Sequence, residues 1–190
     1  MSRLVDWEGC SEEQAVRIGD ALVTSLVAIP RPSDGLERLL GAVANPWVRF
    51  LDAFGELVDL PAAAARAILD RAEVGRGWEP APVPGLELVH FEGGPRTAGA
   101  DVGLVRLAPG ALHPAHEHLG EESIVVLAGG YVDSAGYTVA AGHVERRHAG
   151  EPHSFVAGPE GVVFAVVLRQ GVAFLGPNGE HALVLRAGGA

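Results

Sequence analysis

The sequence predicts an α+β protein, with a helical region over residues 1–76 and an all-β barrel or sandwich over residues 86–190. Three observations lead there. Up to residue 76 the apolar residues recur at helical spacing. Pro80, Pro82 and Pro84 then punctuate residues 77–85, which read as a linker because that spacing forbids a helix or a central strand. Beyond the linker, short apolar runs alternate with glycine turns, the pattern of a closed or stacked β structure.

Each helix has its own signals. Residues 11–28 open on Ser11 and Gln14 as a capping box and carry Ala15, Ile18, Leu22 and Leu26 on one stripe, ending at Pro30 and Pro32. A second helix follows Asp34, with Leu36, Leu39, Leu40 and Val43 in phase. Asn45-Pro46 stops it and starts a third, in which Trp47, Phe50, Leu51, Phe54 and Leu57 recur. Asp59 and Pro61 open an alanine-rich fourth helix that fades near Gly75.

Strands are expected at 86–91, 102–107, 123–127, 137–139, 153–156 and 162–168. Strand parity adds a constraint. If Glu122 points inward, so do Ile124 and Val126, and Val125 and Leu127 point outward. Both sets are apolar, as are both faces of 162–168, so the outer face needs a cover. The helices or a second protomer must supply it, and a homodimer is one expectation.

Composition narrows the function. The hydrophobic share of 48% supports a packed core. The net charge of −10 argues against direct nucleic-acid binding and suits a basic protein partner. No apolar run of about 18 residues marks a membrane span. Residues 1–8 carry no apolar signal core, so a cytoplasmic location is expected. All 14 basic residues are arginine, which excludes Schiff-base chemistry on a lysine. Cys10, the single cysteine, cannot form an internal disulfide.

The chemistry concentrates between Gly110 and His153. His116 and His118 stand one residue apart, so on a strand they share a face. A reversal at Leu119-Gly120-Glu121 brings Glu122 back beside them, and His153 offers a fourth donor ahead of an apolar run. Three imidazoles and one carboxylate suit a divalent metal: zinc first, with iron, nickel, copper or manganese as alternatives. His113, out of parity with His116, is expected at the pocket rim. His143 and His148 are candidates for orienting a ligand, and Glu121 is the rival carboxylate. Tyr131, Tyr137, Glu121 and His148 are the other polar candidates for the pocket.

The spacing Gly110, His116-x-His118, Glu122, Gly129 resembles the first motif of the cupin superfamily without departure. The second motif survives as Gly150 and His153, with His148 in its proline position and Ala157 where an asparagine is common. The resemblance implies a cupin barrel (a double-stranded β-helix, jelly-roll-like) with His116, His118, Glu122 and His153 as metal ligands. Gly120-Glu121-Glu122 and the run from Leu127 through Tyr131 and Asp133 to Gly136, with 99–110 before them, look like the C-terminal cupin domain of ChrR-type anti-sigma factors, over roughly residues 82–170. That family joins a zinc-bound helical module, which grips a sigma factor, to a cupin that senses a signal. The chain departs from it in one respect: residues 1–80 hold no histidine and only Cys10, so thiolates and imidazoles cannot build a zinc site there. The resemblance implies a metal-binding regulatory or sensing protein, with a sigma factor or other protein as partner and a small molecule as ligand. A small-molecule metalloenzyme of dioxygenase, isomerase or hydrolase type stays open beside it.

Overall fold

The computed structural model describes residues 44–187. The two helices expected before residue 44 lie outside the described residues. Asn45 caps the next element, its side-chain oxygen accepting the Trp47 N–H at 3.0 Å while its amide donates to Asp70 at 2.9 Å. A 3₁₀ turn, Pro46–Phe50, leads into α1, Leu51–Val58. Asp59 closes α1 in the left-handed region at φ 59. Pro61 starts α2, Ala62–Glu73, and Gly75 lies just beyond it at φ 81.

Ten strands follow, joined in one antiparallel sheet: β1 Glu79–Pro80, β2 Leu86–His90, β3 Ala100–Leu107, β4 Leu112–His118, β5 Glu122–Asp133, β6 Thr138–Ala140, β7 Val144–Arg147, β8 His153–Arg169, β9 Val172–Leu175 and β10 His181–Leu185. The hydrogen-bonded order is β1-β2-β3-β8-β4-β9-β10, with β5 on the other edge of β8 and β6 and β7 on β5. Strand β8 organises the whole. Its first half pairs with β4 and its second half with β3, while β5 runs along its other side from Glu122↔Leu168 to Asp133↔Phe155. The sheet therefore curls into an open half-barrel. The runs at 153–156 and 162–168 are two halves of this one strand.

Gly129 is where the β5 ladder shifts register. Its φ is +60, and a Cβ there would stand 2.0 Å from the Gly161 carbonyl oxygen, so no other residue fits.

Alternation splits the side chains into two cores. Val125, Leu127, Val163, Ala165 and Val167 point out and pack with Trp47, Phe54, Val58, Ala65 and Leu69 of the helical layer. Ile124, Val126, Tyr131, Phe155, Val162 and Phe164 point in. The cover that parity demands is supplied by α1, α2 and the turn before them.

Candidate metal centre

The site is built on β4, where two neighbours meet it. His116 stands opposite His153 of β8 on one side and Phe174 of β9 on the other, and His118 is opposite Val172. Directly opposed residues share a face, so His116, His118 and His153 project together into the curl. All three are buried, and one ring nitrogen from each lies within 4.8 Å of the others. Nitrogens bound to one zinc at about 2.1 Å stand roughly 3–4 Å apart, so small side-chain rotations close the set.

Two of the rings are held by their far nitrogens. His153 Nδ1 donates to Asp133 Oδ2 at 2.9 Å, and His116 Nδ1 donates to the Pro114 carbonyl at 2.8 Å. These bonds select the tautomer that leaves Nε2 bare toward the cluster. His153 Nε2 is buried without a hydrogen bond, as are both nitrogens of His118. A buried polar atom left unpaired costs about 1–3 kcal/mol, so three in one cluster signal an electrophile that belongs there. Burial, aided by neighbouring imidazoles, pushes His116 down to about 4 and His118 to about 3. Burial also lowers His153, although its bond to Asp133 opposes the shift. The three are neutral at neutral pH, the form in which imidazole ligates.

Glu122 reaches the cluster by a different route from the expected reversal. β4 and β5 are not paired with each other, so residues 119–121 carry the chain to the other wall of the curl. From there Glu122 Oε2 stands 3.4 Å from His118 Nε2. Burial raises its carboxyl to about 7, against the pull of Arg147. Glu121 turns away, half-buried and 3.5 Å from Arg146, beside α1 and outside the histidine cavity.

His113 differs from expectation. The register shifts between His113 and His116, three residues on β4 facing two on β8, so a bulge at Pro114-Ala115 resets the parity. His113 therefore shares the inner face. Its Nδ1 is 3.1 Å from His116 Nδ1, and its ring stacks on Phe155 at 4.7 Å. His143 and His148 are both exposed and unavailable for orienting a ligand.

That task falls to residues the spacing did not single out. Asp133 is 3% exposed. Burial alone would raise its carboxyl, but the Ala135 N–H, His153 and Arg147 outweigh that and hold it below the usual range. Arg147 bonds Asp133 at 2.8 Å and Glu145 at 2.9 Å, and it also meets the Tyr137 hydroxyl. Glu145 accepts from Tyr131 at 2.7 Å and from Tyr137 at 2.9 Å. The only hint in the sequence is charge at 145 and 147, which parity puts on one face of an otherwise polar strand.

Comparison with known proteins places this geometry. No curated protein matches the chain. The fold is similar to that of an acetylacetone dioxygenase from Acinetobacter johnsonii, at 16% identity over 60% of this chain and 81% of that one, with a TM-score of 0.52. It is also similar to the Rhodobacter sphaeroides complex of SigE with the anti-sigma ChrR, at 18% identity over 82% of this chain and 80% of that one, with a TM-score of 0.50. At such identities the likeness speaks for the fold alone. The model of the ChrR cupin-like domain matches residues 71–172, more than half of the chain and the whole of the histidine cluster. The chain belongs to this family of ChrR cupin-like domains.

Proposed function

We propose that the protein is a metal-dependent regulatory or sensing cupin. In this reading the half-barrel is the cupin double-stranded β-helix, and its divalent ion, zinc first, is held by His116, His118 and His153 with Glu122 as the fourth ligand. One observation carries the reading: ring nitrogens of three buried, neutral histidines converge, and three nitrogens within the set have no hydrogen-bond partner. The ion would supply a Lewis-acidic centre open on the cavity side. The chain's own contribution is to aim the rings, through Asp133 and the Pro114 carbonyl, and to exclude water with Phe155 and Phe174.

Family membership supports a role in signalling, and a sigma factor is the partner to try first. A grip on that partner would not use a thiolate–imidazole zinc site before residue 81, since His90 is the first histidine. The second reading is a small-molecule metalloenzyme, favoured by the cavity of about 1130 Å³ onto which the histidines open.

The test joins two measurements on full-length protein purified without chelator. Elemental analysis should find about one divalent ion per chain, and pull-down against the host's sigma factors should retain one of them. Metal-free protein that stays so after incubation with zinc, iron, nickel, copper and manganese would sink the metal centre. Loaded protein that retains no sigma factor and turns over a substrate would favour the enzyme.

A further inference from the structure

The cavity beside the histidines has a chemical preference of its own. At about 1130 Å³ it is of small-molecule size. Leu88, Phe164, Val166, Leu168, Val172 and Phe174 line it together with the three histidines. Three carboxylates, Glu92, Asp101 and Glu122, face it against one arginine, Arg186. Arg147, whose charge is felt by all three histidines, is tied to Asp133 and Glu145. The Tyr131 hydroxyl on the lining is given to Glu145.

These features discriminate among ligands. An anion would meet carboxylates with the nearest guanidinium already engaged. A polyhydroxylated molecule would strand hydroxyls against aliphatic and aromatic walls, at a cost for each. A cation would be repelled by a divalent ion on the histidines. We infer that the cavity takes an uncharged, mainly apolar organic molecule whose single oxygen-donor end reaches the metal. The inference rests on the metal-centre reading and names the ligand class of that site.

Cobalt(II) gives the test a visible absorption band that reports on ligation. Full-length protein loaded with cobalt is titrated with acetohydroxamic, butanohydroxamic, hexanohydroxamic and octanohydroxamic acid. These present one uncharged metal-binding head with a lengthening alkyl tail. Affinity should rise about four-fold per added CH₂, the equivalent of about 0.8 kcal/mol for each methylene buried. Suberic monohydroxamic acid, with a carboxylate at its far end, should bind at least ten-fold more weakly than octanohydroxamic acid. Val166→Trp, which fills the cavity, should keep acetohydroxamic acid binding and remove the gain with length. A flat series on the native protein, equal binding of the suberic compound, or an undiminished series in Val166→Trp overturns the inference while leaving the metal centre standing. Absence of any cobalt band overturns the metal centre, and the ligand class with it.

Discussion

The two faces of the sheet are made by the same strands and obey opposite rules. Along β5, Val125 and Leu127 face out and are 1% and 0% exposed, while Glu122 and Ile124 face in. The outer face meets Phe54, Val58, Ala65 and Leu69 and has no titratable side chain in its buried core. The inner face carries imidazoles, a carboxyl raised to about 7, and ring nitrogens with no partner. One residue of register separates a surface built for stability from one that tolerates unfavourable burial. The lesson is that the helical layer has a thermodynamic task here: it anchors strands whose other face is strained by the site.

The largest break in that division is on the outer side. Phe54 is fully buried and meets Phe91 edge-on, with ring centroids 6.0 Å apart. Phe54→Ala should lower unfolding stability by about 3–5 kcal/mol in denaturant titration, through lost burial and the cavity left behind. Metal stoichiometry of the fraction still folded should stay unchanged. A loss of metal with intact stability would show that the two faces are not separable in this way.

On the inner side, Asp133→Asn is the sharper probe. It keeps the size and removes the charged acceptor that aims His153. Loss of such an orienting partner typically weakens metal binding about 10–100-fold. Chelator competition reads that change, and a Kd within two-fold of wild type would remove Asp133 from the site. His153→Ala should weaken binding too, leaving the fold in place.

Much of this was legible in the sequence, and the rest fails for identifiable reasons. Period-2 alternation in 122–127 and 162–168 told inner from outer faces, because a two-face burial pattern has few solutions. The spacing of His116, His118 and Glu122 marked the cluster. His113 was misplaced because a bulge is invisible to parity: one extra residue in β4 returns its ring to the inner face. Glu122 was placed on an adjacent strand because a short turn suggests a hairpin, whereas the chain crosses the curl. Asp133, Glu145 and Arg147 went unread because their bonds join separate strands, and no local spacing encodes such a network. Strands β7, β9 and β10 were missed for lack of long apolar runs. Helices expected before residue 44 lie outside the described residues.

His118→Leu tests whether the inner face costs stability when no ion is bound. His118 is 1% exposed, and neither ring nitrogen has a hydrogen-bond partner. The replacement should abolish metal binding and raise the stability of metal-free protein by something of the order of 1 kcal/mol. The sign of the pH effect follows from the folded value of about 3, below the ordinary value of 6.5. Between those values the unfolded chain holds the proton and the native chain does not, so wild-type stability falls as pH drops below about 6.5. The advantage of His118→Leu should widen over the same range. A variant less stable than metal-free wild type at pH 5 would show that the imidazole is satisfied.

The smallest expected effect concerns how the helical layer is fastened. Asp59 ends α1 and accepts the Arg96 N–H at 2.8 Å and its guanidinium at 2.7 Å. The backbone bond first, and the guanidinium second, lower its carboxyl below the ordinary value. The Arg96 side chain is 66% exposed, so salt and water screen the pair and its contribution is slight. Asp59→Asn keeps a residue that accepts the left-handed backbone, losing only the charge. A small drop in Tm is expected at pH 7, shrinking in high salt. A depressed carboxyl stabilises the fold above its unfolded pKa, and that stabilisation is lost as pH falls through the folded value. Wild type and Asp59→Asn should therefore converge in acid. A gap that persists at pH 2, or that ignores salt, would mean that the Asp59 side chain acts by shape, and that the layer is fastened by its apolar core alone.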